Sequence, residues 1–196
     1  DGSDSQYIAA VALKQGETYT LEGLDISAWT IDPDWFTSNG DGSMVCNVID
    51  GYYLVQFDTA AEYVSAMTCD AAGVPAKFDT AGAPGWVPEK GLCLAPVAAD
   101  KHQITAIAGL SMKADGINFK FFGQNNGWGP VELKGDMLSC TSDLILVGQG
   151  VDGYDSGNVY LQEGKTFEPG GVYTFTLTWN GGTGTFAVEK VGQVEL

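Results

Sequence analysis

The chain has 196 residues, 44% of them hydrophobic, and 25 acidic residues against 9 basic ones give it a net charge of −16. That length and apolar content can bury one large or two small cores and exclude a disordered chain. Every basic residue is a lysine; without arginine forks or a basic patch, nucleic acid is excluded as a partner, and an anionic membrane surface repels the protein.

The start, Asp1-Gly2-Ser3-Asp4-Ser5-Gln6, reads like the end of a linker, with a targeting segment expected upstream. No apolar run is long enough to span a membrane, so no transmembrane segment is expected. Strands are expected at Tyr7–Leu13 and Thr18–Leu21. A short helical turn is expected at Asp32-Pro33-Asp34-Trp35-Phe36, with Asp32 as N-cap and Pro33 as the first helical residue. Trp29 and Trp35 flank that turn and would plug the end of a first sandwich. Met44–Val48 and Tyr52–Phe57 read as two strands joined in a hairpin at Asp50-Gly51. Tyr63–Cys69 reads as another strand.

The stretch from Asp70 to Gly85 is rich in Ala, Gly and Pro and lacks strand alternation, so it is the best domain boundary. It divides the chain into a small β-sandwich over 1–75 and a larger one over 76–196, with a single larger sandwich as the alternative. Further strands are expected at Gln103–Ala108, Ile117–Phe122, Leu144–Gly148 and Val159–Leu161. The clearest is Val172–Trp179, where Tyr173, Phe175, Leu177 and Trp179 alternate with threonines at a period of two. Asn180 to Gly184 turns the chain back into Thr185–Glu189. Helix signals are nearly absent, and 27 glycines and 7 prolines punctuate the chain. The fold class is therefore all-β, as two β-sandwich domains of the immunoglobulin-like or carbohydrate-binding-module-like kind.

No catalytic set is legible. The sole histidine, His102, stands just before a strand and reads as an exposed loop residue. There is no GxSxG elbow, HExxH motif, P-loop or GxGxxG turn, so no catalytic residue, nucleotide cofactor or other cofactor is assigned. Glu89, Glu132, Asp152 and Asp155 could supply a hydrolytic carboxylate pair only if two of them met at the required separation. The acidic turns at Asp32–Gly42 and Asp152–Asn158 depart from the EF-hand pattern, and ordinary Asx-turn chemistry accounts for them better than a metal. Cys46, Cys69, Cys93 and Cys140 form no CxxC; they read as buried thiols or as disulfides whose pairing is open.

The binding signal lies in the second half. Gly85-Trp86-Val87-Pro88 and Asn118-Phe119-Lys120-Phe121-Phe122-Gly123-Gln124-Asn125-Asn126-Gly127-Trp128-Gly129 set tryptophans among turn residues and amides. A ring held in a loop beside amides suits a sugar, with the apolar face on the ring and the amides on hydroxyls. The candidate ligand-binding residues are Trp86, Lys120, Gln124, Asn125, Asn126 and Trp128. Lys120 alternates with Phe119 and Phe121, so it points away from them, toward ligand or solvent. The competing reading of both tryptophans is that they cap the second sandwich.

Several of these stretches also carry a resemblance. Gly85 to Pro96, Ile117 to Phe122 with Gly127-Trp128-Gly129, Asp155 to Val159, and Gly170 to Thr176 resemble an uncharacterised family of gut-bacterial surface lipoproteins. Trp29 to Phe36 resembles the first domain of that family. Residues 84 to 190 are similar to the modules of SusE/SusF-type outer-membrane starch-binding lipoproteins. Those β-sandwiches carry a Gly-Trp near the start, a central Phe-Lys-Phe strand and a Trp soon after. The turn that precedes Gly-Trp in those modules has no counterpart between Phe78 and Gly85. The resemblance implies an extracytoplasmic location at the outer membrane or cell surface and a lipid anchor upstream. It also implies non-catalytic binding of a polysaccharide or host glycan through Trp86, Lys120 and Trp128, alongside other glycan-uptake proteins. A protein-binding adhesion or structural module is the alternative function.

Overall fold

The computed structural model of the chain describes residues 5–68, 79–80, 92–122 and 132–196. Among the described residues the fold is all-β and sandwich-like, with no α-helix. The chain divides into two compact units, residues 1–77 with 95–99 and residues 78–94 with 100–196. Residues 95–99 belong to the first unit although the chain has by then entered the second.

In the first unit, β1 (Gln6–Leu13), β3 (Thr30–Ile31), β6 (Gly51–Asp58) and β7 (Tyr63–Thr68) form a sheet in the order β1-β6-β7-β3. A smaller sheet, β2-β5-β4, is built from β2 (Thr18–Thr20), β4 (Phe36–Ser38) and β5 (Ser43–Cys46). Between them lie Leu13, Trp35, Phe36, Met44, Val55 and Val64, all buried. The expected turn at Asp32 forms: the amides of Trp35 and Phe36 donate to the Asp32 carbonyl, and the Asp34 amide donates to the Asp32 carboxylate at 3.1 Å. Trp35 packs edge-on against Tyr53 with ring centroids 5.9 Å apart.

The expected hairpin at Asp50-Gly51 does not form, because β5 and β6 belong to different sheets. A two-residue type I′ hairpin needs positive φ at both central residues, and neither Asp50 nor Gly51 has it. Asp50 instead accepts the Gln15 amide at 2.9 Å, and the Tyr53 hydroxyl donates to the Ile49 carbonyl at 2.7 Å. These bonds hold a crossover between layers.

The second unit stacks two sheets. One contains β11 (Lys101–Ile107), β16 (Gly171–Trp179), β17 (Gly184–Gln193) and β13 (Leu138–Cys140), neighbours in that order. The other runs β14 (Ile145–Val147), β15 (Asn158–Leu161), β12 (Asn118–Phe122), β8 (Asp79–Thr80) and β9 (Leu92–Cys93). The remaining strand, β10 (Ala95–Ala98), lies in the segment that returns to the first unit.

The period of two in β16 does what the sequence predicts: Tyr173, Phe175 and Leu177 are buried while Val172, Thr174, Thr176 and Thr178 are half-buried. The core is aromatic. Phe121 meets Phe186 at 5.1 Å, Phe119 meets Phe121 at 5.4 Å, and Phe167 meets Tyr173 at 4.8 Å. Offset and edge-on rings fill the space between sheets and add specificity to their burial. Asn180 closes the β16–β17 hairpin by accepting the amides of Gly182 and Thr183 at 3.0 and 2.9 Å.

Candidate functional site

Of the six predicted binding residues, Trp86, Gln124, Asn125, Asn126 and Trp128 lie outside the described residues, as do Glu89 and Cys69. Lys120 is described. It sits on β12 with 9% exposure, although its alternation with phenylalanines predicts an open position. The reason is that β12 is an interior strand with both faces covered. Phe119 and Phe121 face the aromatic core, while Lys120 and Phe122 face segments of chain laid over the other side.

Those segments take up the ammonium group. Lys120 Nζ is 2.5 Å from Glu132 Oε1 and donates to the Ser156 carbonyl at 2.7 Å. The Ser156 hydroxyl accepts the Gly135 amide at 2.9 Å, and the Gln149 side chain donates to the Gly135 carbonyl at 3.1 Å. Glycine permits this crowding. Gly157 has φ of +81°, and a Cβ there would lie 2.0 Å from the Leu133 carbonyl oxygen. Lys120 is thus the pin of a backbone crossing, a role its place in a Phe-Lys-Phe run does not reveal.

The other titratable candidates are also placed. His102 lies within β11, opposite Leu177, and is half-buried, not an exposed loop residue. Burial depresses its pKa, against a smaller opposing pull from Asp100. The Asp32 carboxylate accepts hydroxyl bonds from Tyr63 at 2.9 Å and Ser65 at 2.8 Å. Burial first, and the Asp32 charge second, push the Tyr63 phenol well above its ordinary range. Asp155 sits in a turn where its amide donates to the Tyr160 hydroxyl at 3.1 Å. Among the described residues no cluster of three His, Cys, Asp or Glu is arranged to hold a metal. Cys46 and Cys140 are free thiols, and burial raises both their pKa values.

A groove of about 770 Å³ opens in the second unit. Its floor is apolar: Ile104 and Phe175 from one sheet, Phe119 and Leu92 from the other, with Met112 and Ile117 between. Phe119 and Phe175 meet edge-on at 6.2 Å. Its rim is polar, formed by Ser111, Lys113, Asp115 and Asn118. Ser111 Oγ accepts the Ile107 amide at 2.7 Å, which fixes the turn that carries the rim. Aromatic floor and polar edge together match what a small amphipathic ligand requires. The sequence gives Ile104, Ile117, Asn118, Phe119 and Phe175 only as strand positions and assigns no role to Ser111, Met112, Lys113 or Asp115. No motif marks the groove, because its lining comes from separate strands and the turn after β11.

The strands on either side of the undescribed segments are paired. The segment holding Trp86 joins β8 to β9, where Thr80 pairs with Leu92. The segment holding Trp128 runs from Phe122 to Glu132, which form an antiparallel bridge. β8 is antiparallel to β12, with Phe121 opposite Thr80 and Phe122 opposite Asp79.

A family model described as "Domain of unknown function (DUF5121)" matches residues 72–180, more than half of the chain. No curated protein and no solved structure matches it.

Proposed function

The chain belongs to the DUF5121 family, and we propose that its second unit is a non-catalytic glycan-binding module of a cell-surface nutrient-capture system. The observation that carries this reading is the groove, with an aromatic and aliphatic floor and a rim of donors and acceptors. A sugar ring offers an apolar C–H face and an edge of hydroxyls. The floor and Trp86 would take the face, and Ser111, Lys113, Asp115 and Asn118 would take the edge.

Gln124, Asn125, Asn126 and Trp128 would extend the site for a longer chain of sugars, and Lys120 would hold the strand that carries Phe119. Among the described residues the groove offers one carboxylate, Asp115, where glycoside hydrolysis uses two. The resemblance to SusE/SusF-type modules supports an outer-membrane, lipid-anchored setting with other uptake proteins as partners.

Native electrophoresis through gels containing starch, other plant glycans or mucin tests the reading. One glycan should retard the protein. The retardation should fall at least about tenfold in affinity for Trp86→Ala, and also for Lys113→Ala with Asp115→Ala. Both rim residues are exposed, so the double variant should stay folded. No retardation by any glycan, or retardation untouched by these variants, would remove the groove as the site.

A further inference from the structure

We propose that β1 is a self-association edge, through which two copies of this chain pair antiparallel along Gln6–Leu13 and join their first-unit sheets into one. β1 ends the order β1-β6-β7-β3, and among the described residues no strand flanks it on its far side. Exposed edges in soluble proteins are usually short, bulged, proline-bearing or charged, which prevents this pairing. β1 has none of these protections. It runs eight residues in unbroken register on β6. Its sequence, Gln-Tyr-Ile-Ala-Ala-Val-Ala-Leu, contains no charge, proline or glycine. Tyr7 is 49% and Ile8 62% exposed, and they point to opposite faces of the sheet, so neither face is covered at that end.

The chemistry of the strand selects a second copy as the occupant. In a chain of net charge −16, most self-contacts would set acid against acid, yet this strand brings no charge to the seam. A two-fold axis normal to the sheet at Ala9 places Tyr7 opposite the partner's Val11 and Ile8 opposite the partner's Ala10. Small residues then lie at the axis and large ones outside it, on matching faces. The same operation moves the Lys14–Glu17 pair, 3.6 Å apart, toward the end of the other copy where Gln6 donates to Asp58 at 3.2 Å, so no unpaired like charge meets across the seam there. A parallel pairing would set like ends side by side. One strand pair covers on the order of 1,000 Å², the lower bound for a specific interface, so the dimer is concentration-dependent.

Sedimentation velocity on the whole chain, from about 1 µM to about 1 mM, reads the proposal. The expected result is a monomer that becomes a dimer as concentration rises. Ile8→Lys and Ala10→Lys should each raise the dissociation constant at least tenfold while circular dichroism stays unchanged, since both positions are exposed. Val191→Lys, at an exposed position on β17 (58%), should leave the dimer intact. A monomer at every concentration would overturn the proposal. So would a dimer that survives both β1 variants, or one that Val191→Lys disrupts equally.

Discussion

Removing either partner of the Lys120–Glu132 pair should destabilise the second unit, and by unequal amounts. The Lys120 side chain is 11% exposed and that of Glu132 35%. Glu132→Ala leaves a buried ammonium with the Ser156 carbonyl as its remaining partner among the described residues, the situation in which breaking a buried ion pair costs about 3 kcal/mol or more. Lys120→Met removes the charge and keeps the stem's packing. The abandoned Glu132 can turn to water, and the lost bond to Ser156 costs about 1–2 kcal/mol. At roughly 4 °C per kcal/mol for a unit of this size, the thermal midpoint of the second unit should fall by about 12 °C for Glu132→Ala and about 4–8 °C for Lys120→Met. Calorimetry on the two single variants and the double variant gives the coupling directly. Glycan retardation should survive Lys120→Met below its new midpoint. A Lys120→Met protein that loses less than about 0.5 kcal/mol but loses retardation would refute the reasoning, because Lys120 would then be meeting ligand and not pinning the crossing.

Three further outcomes follow from the same geometry. Gly157→Ala should cost more than about 3 kcal/mol in denaturant titration, whereas Gly153→Ala, with similar φ but nothing within 4 Å of the new Cβ, should cost about 1 kcal/mol; equal costs would show that the crossing at Leu133 relaxes. Burial lowers the His102 pKa below 6.5, so the unfolded chain binds the proton more readily. Stability of the second unit should then be full above pH 6.5 and decline as pH falls through the folded-state value, and His102→Gln should flatten that slope. The Tyr63 pKa is raised, so its contribution is full below the ordinary phenol value of about 10 and is lost as pH rises above it. Tyr63→Phe should flatten the alkaline limb and cost about 1 kcal/mol at neutral pH.

Regular strands were legible because their signal is local. The alternation in Val172–Trp179 and the turn at Asn180 need no distant partner, and Asp32 announces its turn by its own side chain. The two-residue strands β3, β8 and β9 carry no pattern, since pairing with a neighbour distant in sequence creates them. β13 lies parallel to β17 through residues 138–140, a register that no local sequence specifies. Asp50-Gly51 misled for the converse reason: a hairpin dipeptide was overridden by the need to cross between layers.

For the site, tryptophans and amides were visible as residue types, but Lys120 could not be read as buried without knowing that β12 is an interior strand. The groove is not legible in the sequence because its lining comes from separate strands and a connecting turn.

Methyl-resolved NMR of the folded chain, titrated with the glycan that retards it most, tests the binding claim most directly. The account predicts that Leu92, Ile104, Met112 and Ile117 shift together and saturate with one affinity, while Ile26 and Val64 in the first unit stay still. Shifts that bypass those four residues, or no saturable shift with any glycan, would contradict it.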